Sequence, residues 1–130
     1  MAAPKEWYEL RTLVAERKFE EAAALLALIP SLRSAVNEIG ETVLHYLAVE
    51  NDVDGVSWLS SHGFDVNTRN EFGTPVAFEV AQLDYKELFQ WFITNGADVK
   101  CRDEQGQNIK EYVLDFGLED IAKYLESLGL

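Results

Sequence analysis

The side chains that could act as nucleophiles, bases or metal ligands are few and widely spaced. The chain of 130 residues has two histidines, His45 and His62, and one cysteine, Cys101. A metal site needs several ligands that converge on one point, and three isolated residues on different elements do not provide them. The glycines fit neither the phosphate-binding motif G-x-x-x-x-G-K-[ST] nor the dinucleotide-binding motif G-x-G-x-x-G. The sequence therefore predicts no enzyme, no metal and no cofactor.

The elements that carry these residues recur along the chain with a period of 33 residues. Two glycine series follow this period without an insertion: Gly40, Gly73, Gly106 and Gly63, Gly96, Gly129. Within a period, a turn precedes two helical runs of apolar residues that a short break separates. The openings read Gly40-Glu41-Thr42-Val43-Leu44-His45 and Gly73-Thr74-Pro75, and the closings read Gly63-Phe64-Asp65-Val66-Asn67 and Gly96-Ala97-Asp98-Val99.

This period and these motifs resemble the ankyrin repeat family, whose units open with G-x-T-P-L-H-x-A-A and close with G-A-D-V-N. The resemblance covers nearly the whole chain. It implies an all-α solenoid of about four helix-turn-helix units joined by short hairpin-like loops, in one domain at residues 1–130. The units are predicted as an N-terminal cap, two central repeats and a C-terminal cap, at residues 4–36, 37–69, 70–102 and 103–130. The resemblance also implies that His45 has a structural role and ties adjacent loops together by hydrogen bonds.

Stacked units argue against a catalytic pairing of Cys101 with His45. The two residues lie in different units, and stacked helices are about 8–10 Å apart, whereas a base activates a thiol only within about 3 Å. Cys101 is therefore predicted to be an ordinary small residue in a hairpin strand. Asn51, Asp84 and Gly117 occupy the break between the two helices of their units, and their residue types favour the left-handed conformation in which many helices end.

The composition restricts both the compartment and the partner. The chain has 23 acidic and 11 basic residues and a formal net charge of −12. Nucleic acid is an improbable ligand, because binding it requires Lys and Arg to neutralise phosphates. No apolar stretch approaches the ~18 residues of a membrane span, the N-terminus lacks a signal-peptide core, and a single cysteine is typical of a reducing compartment. We expect a cytoplasmic protein whose acidity serves solubility or attracts a basic protein.

Ankyrin-like stacks bind their partners through a concave surface of loop tips and inner helices, and the resemblance assigns contact positions in three units. The predicted partner-binding residues are Glu38, Ile39, Glu41, Val49, Glu50, Glu71, Phe72, Thr74, Gln82, Leu83, Glu104, Gln105, Gln107, Asp115 and Phe116. This set holds six acids and no Lys or Arg. Ile39 and Phe72 share one tip position, where they either anchor a partner or fold back onto the neighbouring tip.

Two kinds of function fit this sequence. One is a non-catalytic protein–protein interaction module that binds a basic protein through an acidic concave face with apolar anchors. A specific version neutralises its partner, as an immunity protein or antitoxin does. The alternative is a scaffold, an adaptor or a self-associating regulatory subunit that uses the helix backs or the C-terminal end. On its own the chain is expected to be a monomer.

Overall fold

Eight α-helices in four consecutive pairs form the computed structural model, which describes residues 3–130. The pairs are α1 (Lys5–Ala15) with α2 (Phe19–Leu28), α3 (Val43–Val49) with α4 (Val53–Ser61), α5 (Val76–Gln82) with α6 (Lys86–Thr94), and α7 (Ile109–Asp115) with α8 (Glu119–Ser127). A 3₁₀ helix, Pro30–Arg33, follows α2. Extended pairing within residues 3–130 is limited to one isolated bridge, between Arg69 and Pro75. The predicted all-α solenoid is therefore confirmed.

The first helices of the four pairs pack against one another in succession, and each second helix packs against its own first helix. We call α1, α3, α5 and α7 the inner helices and the other four the outer helices. One continuous cluster of buried apolar side chains, from Trp7 to Leu125, runs through the stack. Since each pair touches only its neighbours, stability is approximately a sum of contributions from the pairs and from the junctions between them.

All four inner helices end in the same way. The residue after each C-cap has a positive φ: 63° at Arg17, 60° at Asn51, 61° at Asp84 and 75° at Gly117. The left-handed conformation predicted for the last three is confirmed. Arg17 was not predicted, because it precedes Asn51 by one residue more than the repeat period. Its guanidinium donates to both carboxylate oxygens of Asp52, at 3.0 and 2.6 Å, which ties the first pair to the second.

None of the helices in residues 3–130 combines the length and the apolarity that a membrane crossing requires.

Candidate protein-interaction surface

Three successive loops are built around the same side-chain hydrogen bonds. In the loop before α3, Oδ1 of Asn37 accepts from the backbone N–H groups of Ile39, at 3.1 Å, and Glu41, at 2.9 Å. Asn70 and Asp103 accept in the same pattern in the loops before α5 and α7. Short polar side chains that bond to the backbone two residues on are typical of tight turns. The turn holds the residue two positions after each of them at the loop tip.

Neighbouring loop tips are in direct contact. The backbone N–H of Glu71 donates to the carbonyl oxygen of Ile39 at 3.1 Å. Gly40 has a φ of 76° and lies so close to the backbone of Glu71 that a Cβ atom would overlap it. Gly73, with a φ of 74°, lies equally close to the side chain of Glu104 on the next loop. Glycine is required at both positions, because only glycine accepts this φ without strain and leaves room for the next loop.

The structure exposes most of the predicted partner-binding residues. Exposed are Glu38, Ile39, Glu50, Glu71, Phe72, Leu83, Glu104, Gln105, Asp115 and Phe116, and half-buried are Val49, Gln82 and Gln107. Phe72 is 62% exposed and Ile39 is 49% exposed, so neither side chain folds back fully onto the neighbouring tip. These two apolar residues stand beside the exposed carboxylates of Glu38 and Glu71 on their loops.

Two of the predicted contact residues, Glu41 and Thr74, are buried instead, with exposed fractions of 5% and 8%. The side chain of Glu41 turns inward, where its Oε1 accepts from Nδ2 of Asn37 at 3.1 Å. Its backbone carbonyl accepts from the indole N–H of Trp7 at 3.2 Å. Thr74 occupies the equivalent position one period later, and its N–H is bound by Asn70. Both residues stabilise the base of a loop, and their burial prevents the partner contact that was predicted for them.

His45 has the structural role that the sequence predicts. It is fully buried at the start of α3, and its Nε2 lies 2.7 Å from Oε1 of Glu79 on α5. The same Oε1 accepts from Nδ2 of Asn70 at 2.9 Å. A charge-assisted hydrogen bond of this length is among the stronger polar contacts in proteins. His45 and Glu79 therefore join the second helix pair to the third.

The structure brings together a histidine and two carboxylates that the sequence did not link. Ligand atoms of Glu41, His45 and Glu79 lie within 4.8 Å of one another, and these residue types bind zinc. However, one oxygen of each carboxylate already accepts from an asparagine amide. A ligating histidine normally gives its second ring N–H to an acceptor, and Nδ1 of His45 has no hydrogen-bond partner. The three residues are therefore arranged as a hydrogen-bond network between helix pairs rather than as a set of metal ligands.

A second row of exposed residues lies at the far ends of the inner helices. The C-caps of α1, α3, α5 and α7 are Glu16, Glu50, Leu83 and Phe116, and all four are exposed. We call them the C-cap row. An inner helix of seven residues is about 10 Å long, so its C-cap lies at the opposite end from the preceding loop. The predicted partner-binding set contains three of the four, and Glu16 lies in the first pair, to which the resemblance assigns no contact position.

Basic groups near the loops are already engaged with the protein itself. Arg69 donates to the carbonyl oxygens of Gly73, at 3.1 Å, and Arg102, at 2.8 Å. Arg102 in turn donates to the carbonyl oxygen of Gly106 at 2.7 Å and to a carboxylate oxygen of Glu111 at 3.2 Å. The guanidinium groups thus stabilise the loop backbone, and both arginines remain exposed at the base of the loops rather than at the tips.

Cys101 lies in a bend rather than in the hairpin strand that was predicted, and it is half-buried. Burial raises the pKa of its thiol above the ordinary value, an effect that the nearby guanidinium of Arg69 opposes. A raised pKa keeps the thiol protonated at neutral pH. Since the thiolate is the reactive form, the surroundings of Cys101 do not activate it as a nucleophile.

The stacked helix pairs, with a continuous core and a repeated loop, define a helical-repeat solenoid. The family model described as ankyrin repeats (many copies) matches residues 44–93, which extend from α3 to α6. This match supports, for residues 44–93, the resemblance to ankyrin repeats that the sequence predicts. Ankyrin repeats generally bind other proteins and form a non-catalytic interaction fold. A comparison with curated proteins gives no significant match.

Proposed function

We propose that the protein binds a basic partner protein through the surface formed by its loop tips and inner helices. The observation that carries this proposal is the pairing of an exposed apolar side chain with an exposed carboxylate on successive tips. Ile39 stands beside Glu38, and Phe72 beside Glu71. No Lys or Arg is among the ten exposed residues of the predicted set.

The apolar tips supply the affinity in this proposal. Phe72 is the most exposed aromatic residue among the large hydrophobic side chains that the structure leaves uncovered, at 62%. Complete burial of a phenylalanine side chain contributes about 1.5–3 kcal/mol. Interfaces concentrate their binding energy in a few such anchors, surrounded by contacts that exclude water. Covering Phe72 and Ile39 with a partner therefore provides a favourable term that the isolated protein lacks.

The carboxylates raise the association rate and select basic partners. A net charge of −12 attracts basic proteins and accelerates their encounter with the tips. Because exposed charges are screened over about 10 Å at 0.1 M salt, the association rate should fall as salt is added. An acidic protein of similar shape would be repelled.

In its more specific form, the proposal is that binding neutralises the partner, as an immunity protein or antitoxin does. The acidity of the chain, with a net charge of −12, supports this form, since it suits a tight inhibitor of a basic enzyme. An adaptor would use the same surface but leave the activity of its partner unchanged. An activity assay of the bound partner, with and without this protein, separates the two.

Self-association through the C-terminal end has less support. The position that Leu44 and Ala77 fill, buried between pairs, is occupied in the last pair by Lys110. Its Nζ lies 3.5 Å from a carboxylate oxygen of Glu126. A charged pair at a surface where the inner pairs bury apolar side chains is typical of a terminal cap. Within α7, Leu114 is the one large apolar side chain left exposed, at 45%.

Affinity capture from the native lysate tests the proposal. The wild type is compared with Phe72→Glu at low and high salt, about 0.05 M and about 0.5 M. The matched control is Leu28→Glu, because Leu28 is 81% exposed but lies on α2, away from the tips. We expect a basic protein that the wild type and Leu28→Glu retain, that high salt weakens and that Phe72→Glu loses. Equal capture by Phe72→Glu would contradict the proposal.

A further inference from the structure

The C-cap row changes character from one end of the stack to the other. Its four residues occupy the same backbone position, each just before a residue of positive φ. In the first two pairs the residue is acidic, Glu16 and Glu50, and in the last two it is apolar, Leu83 and Phe116. Neighbouring helices pack about 8–10 Å apart, so the row separates an acidic half from an apolar half over a length of about 25–30 Å.

The acidic half is unfavourable for the helices that carry it. A helix C-terminus has a partial negative charge, so that cations stabilise it and carboxylates destabilise it. None of the eight α-helices in residues 3–130 has a basic residue in its last turn. At Glu50 the carboxylate and the helix terminus thus combine into one electronegative spot. Glu16 is partly compensated, because Nζ of Lys18 lies 3.3 Å from its Oε1 and Arg17 donates to the carbonyl oxygen of Val14 at 3.0 Å. Glu50 is therefore the stronger of the two negative positions.

A cavity of about 490 Å³ adjoins the acidic half. Glu16 and Glu50 line it together with the aliphatic side chains of Ala15 and Leu47 and the ring of Tyr46. Carboxylates and aliphatic walls are groups that receive a long cationic side chain: the charge meets the acids, and the methylene stem meets the apolar wall. The ring of Tyr46 is already covered by the guanidinium of Arg11, 5.5 Å from the ring centroid. The cavity therefore suits a lysine or arginine of the partner on the side of Glu50 and Leu47, away from Arg11, which also lines it.

The apolar half is held ready for contact. The ring of Phe116 packs edge-on against Tyr112, with centroids 5.2 Å apart, yet Phe116 remains 54% exposed. Tyr112 is fixed in turn by a hydrogen bond from its hydroxyl to Oε1 of Gln82, at 3.1 Å. Leu83, one position earlier in the row, is 38% exposed. An anchor whose inner edge is already packed loses little side-chain freedom when its outer face is covered.

We infer that the C-cap row docks a partner segment that has a basic half and an apolar half, and that it fixes the direction of this segment along the stack. The basic half lies on Glu16 and Glu50, and the apolar half lies on Leu83 and Phe116. This inference rests on the proposed function and deepens it. Reversing the segment would place its cations on the apolar residues and its apolar side chains on the carboxylates, so only one direction satisfies both halves.

Designed peptides test this directly. The probe is a fluorescent peptide of about 20 residues, long enough as a helix to span the row, with its lysines in one half and its leucines and phenylalanines in the other. It is made in two versions, one with the lysines in the N-terminal half and one with them in the C-terminal half, because either end of a partner segment could carry the cations that lie on Glu16 and Glu50. The control peptide has the same composition with the two classes alternating. We expect one segregated peptide to bind about tenfold more tightly than the alternating one. Equal binding of the peptides, or no binding by any of them, would overturn the inference.

Charge reversal of the protein provides the second arm. Glu50→Lys should weaken the segregated peptide about tenfold at low salt and much less at high salt, as expected for an exposed charge pair. Its melting temperature should stay the same or rise, since a cation suits a helix C-terminus, so misfolding does not account for the loss. Leu83→Asp should weaken the peptide at both salt concentrations. The matched control is Glu87→Lys, with the same charge change on the exposed first turn of α6.

If Glu87→Lys weakens the peptide as much as Glu50→Lys, net charge alone explains binding and the inference fails. The proposed function is tested separately by the captured partner. Capture that Phe72→Glu abolishes but Glu50→Lys leaves intact would refute docking on the C-cap row and support binding at the tips. Capture that neither variant affects would refute both.

Discussion

The junction between the second and third helix pairs and the junction between the third and fourth use equivalent positions with different chemistry. At the first, His45 and Glu79 make a hydrogen bond of 2.7 Å across 34 residues of chain. At the second, Phe78 and Tyr112, also 34 residues apart, pack their rings with centroids 5.5 Å apart. The same backbone arrangement therefore accepts different side-chain contacts at a junction, polar at the first and aromatic at the second.

The same two junctions differ in whether the polar side-chain atoms of their loops all have hydrogen-bond partners. Nδ2 of Asn70 donates to Glu79 at 2.9 Å, so the polar junction uses both ends of the amide. Asp103 occupies the equivalent position one period later. Its side chain has no N–H to donate, and its Oδ2 is buried without a hydrogen-bond partner. The last pair has Tyr112 at the position where the third pair has Glu79, so it lacks the acceptor that an amide would use. The aromatic junction gains packing and loses part of the polar network.

Removing the ring of Phe78 should have the largest effect on stability. Phe78 is fully buried in the middle of the stack, and truncation of a buried phenylalanine to alanine typically costs about 3–5 kcal/mol. Urea denaturation of Phe78→Ala, followed by circular dichroism, measures this loss. A cost below that of breaking the polar junction would contradict the view that packing contributes more than hydrogen bonding here.

Breaking the polar junction should have an intermediate effect. Glu79→Ala leaves the imidazole of His45 and the amide of Asn70 without their acceptor, and an unsatisfied buried polar group costs about 1–3 kcal/mol. Glu79→Gln keeps one carbonyl acceptor and should recover part of the loss. The exposed Glu87→Ala is the control and should stay within about 0.5 kcal/mol of the wild type. Equal stabilities of Glu79→Ala and Glu87→Ala would show that the network contributes nothing.

Placing an amide at the aromatic junction should change stability little. Asp103→Asn keeps the Oδ1 that accepts from Gln105 and Gln107. It exchanges a buried carboxylate oxygen without a partner for an amide group that also lacks its acceptor, because Tyr112 stands where the preceding pair has Glu79. We expect the free energy of unfolding, measured by urea denaturation, to stay within about 1 kcal/mol of the wild type. A loss of about 2–3 kcal/mol would mean that Oδ2 of Asp103 meets a donor, such as an ordered water molecule, that an amide cannot replace.

The smallest effect is a shift in the alkaline titration of Tyr112. Burial, with a smaller contribution from the nearby carboxylates of Glu79 and Asp103, raises its pKa from 10.0 to about 12. Since the folded protein favours the neutral phenol, this contribution to stability is fully present below pH 10 and is lost as the pH rises through about 12. Ultraviolet phenolate absorbance should show a late step that is missing in Tyr112→Phe. Its persistence in that variant would assign the step to another tyrosine.

Much of the fold could be predicted from the sequence because backbone requirements recur with the period. A loop that approaches its neighbour closely needs glycine, and Gly40 and Gly73 are 33 residues apart for this reason. The left-handed position after an inner helix likewise restricts the residue type, and Asn51 and Asp84 satisfy it with φ near 60°. Arg17 was not predicted because it lies one residue off the period from Asn51, and its hydrogen bonds to Val14 and Asp52 stabilise this conformation.

The candidate surface could be predicted only in part, because the period fixes where a residue lies along the chain but not which way its side chain turns. Glu41 follows an exposed tip by two residues, yet its carboxylate points inward to Asn37. The pairing of His45 with Glu79 depends on a contact between different helices, which residue types alone do not reveal. Their separation of one period plus one residue was the only available signal, and Phe78 with Tyr112 repeats it.

Hydrogen–deuterium exchange of the complex with the captured partner would test most directly whether the tips and inner helices form the interface. The proposed surface predicts slower exchange at residues 38–40, 71–73 and 104–106 and at the C-cap row, with little change in the outer helices. Matching samples of Phe72→Glu should show no slowing at these loops. Slower exchange confined to α2, α4, α6 and α8 would place the partner on the helix backs and contradict the account.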